Sequence, residues 1–160
     1  MRWFWIDRFV EFERGKHAVS VKNVSLSEEH IHDHVPGCPV MPASLMIEGM
    51  AQTGGILLAE ASDFQKMVVL AKLPKITFHG FATPGDTIRY HVTMMQETTE
   101  GGIVECKGYI GERLICEGEI CFAFLEAPAG ENGSSVNAFA TSGLASILKV
   151  GKVQQQFQPS

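Results

Sequence analysis

Between Ala43 and about Asp63 the chain is rich in Ala, Leu, Met, Glu and Gln, and Pro42 stands where a helix tolerates proline, at its first turn. The helix this predicts is apolar around most of its circumference, with Leu45, Met46, Ile47, Met50, Ala51, Ile56, Leu57 and Leu58. Such a helix does not lie on a surface, and it calls for cover on all sides. Ser44, Glu48, Gln52 and Thr53 interrupt it too often for a bilayer span. The cover therefore has to be protein. Gly54 and Gly55 cost helix propensity and predict close approach of a sheet or a second helix.

The rest of the chain offers strands for that cover. Residues 4–12 and 17–26 are short runs rich in Val, Phe and Ile, and the polar Glu13-Arg14-Gly15-Lys16 between them reads as a hairpin turn. After the helix come Met67–Ala71, Lys75–His79, Thr87–Gln96, Ile103–Ile110 and Arg113–Glu126, divided by Pro74, by Thr83-Pro84-Gly85-Asp86, by Gly101-Gly102 and by Gly111-Glu112. The last run alternates: Leu114, Cys116, Gly118, Ile120, Phe122 and Phe124 take one side, Glu117 and Glu119 the other. Two strands, one buried helix and several more strands predict an α+β domain whose antiparallel sheet curls around the helix. That domain spans residues 1–126. From 127 to 160 the composition shifts to Gly, Ser, Asn and Gln, with one short amphipathic helix between Ala138 and Val150, which predicts a flexible or peripherally docked tail.

A chain of 160 residues, 45% of them hydrophobic, can build one self-sufficient core without disulfides or a structural metal. Thirteen Lys and Arg against eighteen Asp and Glu give a net charge of −5, with no basic run, which argues against nucleic acid as a partner. Cys38, Cys106, Cys116 and Cys121 form no C-x-x-C pair and read as reduced, mostly buried thiols. Asp7 and Arg8 follow a very short apolar stretch with no small-residue cleavage site, so the expected location is cytoplasmic.

Two oddities carry chemistry. Glu48 stands in the middle of an apolar helix, in a stripe with Ser44 and Gln52 at spacing four. The stripe either faces water or a hydrogen-bonded seam, or it holds a carboxylic acid whose proton affinity is raised by an apolar site. The second oddity is the loop Ser27–Pro42, where His30, His32 and His34 alternate around Asp33. Three histidines at that spacing converge on a metal only in an extended segment, and no fourth ligand of recognisable spacing follows, so no metal is expected. His34 directly precedes Val-Pro-Gly-Cys-Pro-Val-Met-Pro, which would hold its imidazole in a fixed place. A histidine base, a glutamic acid and the N–H groups of the helix start, around Ala43 and Ser44, suit proton abstraction beside a carbonyl followed by loss of a β-hydroxyl, one option among several.

The string from His34 through Glu48 to Gln52 resembles the active-site motif of the β-hydroxyacyl-[acyl-carrier-protein] dehydratases, hot-dog-fold enzymes of bacterial type II fatty acid synthesis. It keeps the histidine, the prolines at 36, 39 and 42, the fourteen-residue step to the acid, and the Ala-Gln that follows. The likeness extends through Ile6-Asp7-Arg8, Gly15-Lys16, Lys22-Asn23-Val24 and Pro84-Gly85-Asp86-Thr87, and the acid is Glu, as in the general branch of that family. The chain departs from the pattern at Ala43, usually Gly, at Val35, usually aromatic, at Cys38, commonly His, and in lacking a Pro- and Tyr-containing lead-in segment.

The resemblance implies a hot-dog fold and the dehydration of a (3R)-3-hydroxyacyl thioester to the trans-2-enoyl thioester, without cofactor or metal. It implies a homodimer, or a trimer of dimers, in which His34 of one subunit faces Glu48 of the other. His34 then removes the C2 proton, Glu48 protonates the leaving hydroxyl, the N–H of Ala43 binds the thioester carbonyl, the carbonyl of Val40 orients His34, and Gln52 supports Glu48. The implied partner is an acidic acyl carrier protein, for which Arg8, Arg14, Lys16, Lys22, Lys72, Lys75 and Arg89 are the candidate basic contacts. A thioesterase on the same fold, or a non-catalytic acyl-binding subunit, are the alternatives.

Overall fold

The computed structural model describes residues 4–125, so the expected tail from 127 to 160 lies outside the described residues. In chain order the elements are β1 (Arg8–Glu13), β2 (His17–Asn23), α1 (Glu29–Asp33), α2 (Ala43–Ala61), β3 (Met67–Phe78), β4 (Thr87–Glu97), β5 (Gly101–Ile110) and β6 (Arg113–Leu125). The strands form one antiparallel sheet in the order β1-β2-β4-β5-β6-β3. β2, β3, β4, β5 and β6 all touch α2, the sheet curling about the helix in the hot-dog arrangement. Burial of Met46, Met50, Ile56, Leu57 and Leu58 from α2 against Ile88, Tyr90, Val104, Ile120 and Phe122 from the sheet makes the core.

Two glycines let helix and sheet meet. A Cβ at Gly54 would stand 2.9 Å from Val104 and 3.1 Å from Phe122, the close approach expected there. The tighter contact is at Gly49, where a Cβ would stand 2.6 Å from the ring of the fully buried Tyr90.

The chain departs from expectation in four places. First, α2 is not covered all round: Ala43, Ser44 and Glu48 are exposed, and Leu45, Ile47, Gln52 and Gly55 are half-buried. One sheet covers one side of a helix, and the other side is left partly open, with Trp5 bonded to Gln52 on it. Second, the loop from Ser27 holds α1, a single turn nucleated on the fully buried Ile31. Third, Met67–Ala71 and Lys75–His79 are not two strands but parts of β3. Lys72 pairs with Cys121 and Lys75 with Glu119, so Leu73 and Pro74 together oppose Ile120 in a bulge. Pro74 sits at that bulge on the outermost strand, where a residue without N–H is tolerated. Fourth, Gly108 pairs with Cys116 and Tyr109 with Leu114, which leaves Ile115 as an extra residue. The bulge puts Leu114 beside Tyr109 on the face away from the helix and buries Ile115 and Cys116 together.

Candidate active site

Glu48 lies in the second turn of α2, and its own helix holds its carboxylate. Gln52 Nε2, one turn on, donates to Glu48 Oε1 at 2.9 Å, the contact that a polar stripe of spacing four permits. The Gln52 amide is oriented from its other end by the main-chain N–H of Trp5, which donates to Gln52 Oε1 at 2.9 Å. An amide whose oxygen accepts on one side presents its NH2 on the other, so this bond fixes which end faces Glu48. Of the two readings of this stripe, the single chain shows the open one: Glu48 is exposed, because the sheet lies on the opposite side of α2. An apolar surround for it has to come from outside residues 4–125.

The start of α2 is open. Its first helical hydrogen bonds run from the N–H groups of Leu45 and Met46 to the Pro42 carbonyl, at 3.0 and 3.2 Å. Ala43 and Ser44 precede them, both are exposed, and no side chain caps the helix. Among the described residues neither N–H has an acceptor. Two free donors at the positive end of a helix are suited to a developing oxyanion.

His34 follows the last residue of α1 with helical angles, φ −65° and ψ −48°, and is exposed. The chain then turns at once: the Cys38 N–H donates to the Val35 carbonyl at 3.0 Å, with Pro36 and Gly37 at the corner and Gly37 at φ +75°, a conformation that favours glycine. Val40 and Met41 are buried, and the Met41 N–H donates to the Ala82 carbonyl at 2.8 Å, which pins the strap just before α2. Among the described residues no hydrogen bond joins His34 to Glu48 or to the Val40 carbonyl. Ala43, Ser44, Glu48 and Gln52 are thus together on one helix, while His34 is carried by the end of α1.

The other end of α1 hangs on the sheet. Lys22 of β2 is only 6% exposed and donates to Glu28, the residue that opens α1, at 2.5 Å. Glu28 also accepts the Ser25 N–H at 3.0 Å. Burial opposes ionisation of Glu28, but the Lys22 ammonium and the Ser25 N–H outweigh it and hold the carboxyl below its ordinary range. Helical geometry sends His32 away from His30 and His34. His32 Nε2 donates to the Leu26 carbonyl at 2.5 Å, and His30 packs edge-on against Trp5. Among the described residues no cluster of His, Cys, Asp or Glu is placed to hold a metal ion.

Compared with known proteins, the sequence profile of the FabA-like domain matches residues 3–119. The chain belongs to the FabA-like family. Relatives in that family include the 3-hydroxyacyl-[acyl-carrier-protein] dehydratase FabZ of Pediococcus pentosaceus, 35% identical over 119 residues, which are 74% of this chain and 80% of that one. The FabZ of Desulforamulus reducens is 37% identical over 119 residues, 74% of this chain and 84% of that one. Among solved structures, a Streptococcus mutans protein bound to acetyl-CoA superposes with a TM-score of 0.64 at 13% identity, covering 79% of this chain and 94% of that one. The dehydratase heterocomplex ApeI:P of Xenorhabdus doucetiae superposes with a TM-score of 0.58 at 15% identity, covering 71% and 92%. These structures share the fold.

Several basic residues are engaged within the chain. Lys22 is engaged with Glu28 and Asp7 inside the chain, and Arg14 with Glu60 and Asp63, so neither offers a free charge to a partner. Lys16 pairs with Glu13. Lys72 and Lys75 on edge strand β3 are exposed, while Arg8 and Arg89 are half-buried on the face away from α2. Trp5, Glu28 and Tyr90 carry no motif that marks them. Only the high apolarity of the segment before Asp7 hints that it is packed rather than loose. Cys106 and Cys116 are buried free thiols, and burial pushes the Cys116 thiol up to about 11, so neither is a nucleophile at neutral pH.

Proposed function

We propose that this FabA-like protein dehydrates (3R)-3-hydroxyacyl-[acyl-carrier-protein] to the trans-2-enoyl thioester in fatty acid synthesis. The observation that carries this reading is the start of α2: two open N–H donors at Ala43 and Ser44 and, about 6 Å further along the axis, a carboxyl group already oriented by Gln52. The thioester carbonyl accepts from the Ala43 N–H, which stabilises the enolate formed when the His34 imidazole takes the C2 proton. Glu48 gives a proton to the C3 hydroxyl, which leaves as water as the C2–C3 double bond forms. Since Gln52 donates to Oε1, the proton of the acid form sits on Oε2, the oxygen left for the departing hydroxyl. The elimination balances without an electron acceptor, so it calls for no cofactor.

The reading includes a homodimer, alone or as a trimer of dimers. A second subunit on the open side of α2 brings its His34 to Glu48 and supplies the apolar cover that a proton-donating carboxyl needs. The half-buried Leu45 and Ile47, with the exposed Leu70, Leu73 and Phe78 of edge strand β3, are apolar surface of the kind such an interface buries. The thioester is carried by an acidic acyl carrier protein in the cytoplasm, with Lys72, Lys75, Arg8 and Arg89 as basic contacts.

The test is dehydration of 3-hydroxyacyl-[acyl-carrier-protein] from short to long chains, for the native protein beside His34→Ala and Glu48→Gln. Either change is expected to lower kcat by about 10²–10⁴-fold, the usual contribution of a positioned acid or base. Release of free thiol, or turnover indifferent to both changes, defeats the reading.

A further inference from the structure

The N-terminal segment touches a neighbour of each candidate catalytic group: Gln52 beside Glu48, and His30 one turn before His34. Trp5 is 8% exposed, and its main chain and its ring do different things. The main-chain N–H donates to Gln52, which donates to Glu48. The indole ring packs edge-on against the His30 imidazole, with centroids 4.8 Å apart and planes at 78°. His30 is on α1, four residues before His34, and because His34 keeps helical angles the two side chains share one side of that turn.

This contact matters because α1 has so little else. A helix of five residues is not stable on its own, so tertiary contacts alone set its direction. Three of them are visible: the Lys22–Glu28 ion pair at its start, Trp5 against His30 in its first turn, and the buried Ile31. Trp5 is itself well fixed. Two residues on, the Asp7 N–H donates to the Val21 carbonyl at 2.7 Å, and Asp7 Oδ2 accepts from the Asn23 main chain and side chain at 2.6 and 2.9 Å. The segment is clamped along β2, the strand that also carries Lys22. His30 adds a polar signature, since its Nε2 is buried without a hydrogen-bond partner among the described residues.

Taking His34 and Glu48 as the base and acid proposed above, we infer that Trp5 is a positioning residue for both, aiming Glu48 through the Gln52 amide and His34 through the His30 ring. In a dimer where His34 of one subunit serves Glu48 of the other, each Trp5 acts on the acid of one site and the base of the second. Neither Trp5 nor His30 contributes a group to the elimination itself.

The His30 ring is also a reporter of the contact. Burial pushes its imidazole below the ordinary value of 6.5, with Lys22 and His34 reinforcing and Glu28 opposing, so the ring is neutral at pH 7. Trp3 and Trp5 are the two tryptophans of the sequence, so in a Trp3→Phe background the emission comes from Trp5 alone. A protonated imidazole against an indole quenches it.

The experiment combines that emission with kinetics on the full chain. In Trp3→Phe, emission is expected to fall with a midpoint below pH 6.5, and His30→Phe is expected to abolish that titration. His30→Ala is expected to lower kcat per folded site about three- to tenfold, the population cost of one lost edge-to-face pair, with KM unchanged within about twofold. His30→Phe, which restores a ring, recovers most of the rate. Trp5→Phe keeps the main-chain donor and a smaller ring and falls between. His30→Ala with native kcat, a loss expressed in KM instead, or a titration that survives His30→Phe overturns the inference. His30 is partly exposed, so its variants are readable even where Trp5→Ala does not fold. Failure of the acid–base reading looks different: the native protein then dehydrates no 3-hydroxyacyl thioester, while the emission still reports the Trp5–His30 contact.

Discussion

Gly49→Ala is the most informative single change in this protein, because two physical effects of known sign oppose one another there. Alanine in a helix interior is favoured over glycine by about 0.5–1 kcal/mol. Against that, the new Cβ would stand 2.6 Å from Tyr90 Cε2, 2.7 Å from Cζ and 2.9 Å from the hydroxyl. Tyr90 is fully buried, so its ring can give way only by displacing core neighbours. Overpacking of this kind costs about 1–3 kcal/mol. The expected net effect is a loss of about 0.5–2 kcal/mol, and a lower kcat, because Gly49 is bonded to Glu48 and the clash lifts that turn of α2 off the sheet. The assay is urea unfolding of native protein, Gly49→Ala, Tyr90→Leu and the double variant, at one protein concentration, since the midpoint of any oligomer depends on it. With leucine at 90 the ring end is gone, so Gly49→Ala should stabilise by its helix propensity, a coupling of about 1–3 kcal/mol between the two sites. If Gly49→Ala stabilises equally with Tyr or Leu at 90, the clash argument is refuted.

The Tyr90 hydroxyl is buried without a partner among the described residues; Tyr90→Phe removes it and should raise stability by up to about 1 kcal/mol in the same assay, a clear loss showing that the hydroxyl is bonded. Arg14 joins the β1–β2 turn to the end of α2, donating to the Ala61 carbonyl at 3.1 Å and pairing with Glu60 and Asp63 at 3.4 and 2.6 Å. Half of its side chain is in water, so Arg14→Ala should cost only about 0.5–1 kcal/mol, but amide exchange at residues 59–63 should quicken while the centre of α2 stays protected. Stability should fall with acid in two steps. His30 and Glu28 both bind protons less readily folded than unfolded, so the His30 share is complete above 6.5 and lost as pH falls through its folded value, and the Glu28 share is complete above 4.5 and lost below it. Lys22→Met should erase the second step, and a urea midpoint with native pH dependence below 4.5 in that variant would contradict the Lys22 explanation.

Much of the fold is legible because short-range chemistry dictates it. The β6 alternation, the Gly- and Pro-containing turns and the helix beginning at Pro42 are local periodicities, and the sheet and α2 follow them closely. The errors lie where a local signal means different things in different surroundings. Pro74 breaks a strand that has neighbours on both sides, yet it is harmless in β3, which has one, and the bulge opposite Ile120 absorbs it. A single extra residue, Ile115, moves Leu114 to the opposite face, and no alternation read by eye reveals which residue is extra.

The candidate site divides along the same line. The sequence by itself determined the chemical groups: the imidazole at His34, the carboxyl at Glu48, the amide one turn on at Gln52, and the uncapped helix start at Ala43 and Ser44. These are fixed by residue identity and by a helical repeat of 3.6 residues, which operate within a few positions of the chain. Only the tertiary structure decided how those groups are held. Trp5 reaches Gln52 across 47 positions, Lys22 is an anchor instead of a docking charge because the turn bearing Glu28 closes over it, and Glu48 is open because one sheet can cover one side of a helix. Contacts between distant segments depend on strand order and register, and those emerge only when the entire core packs.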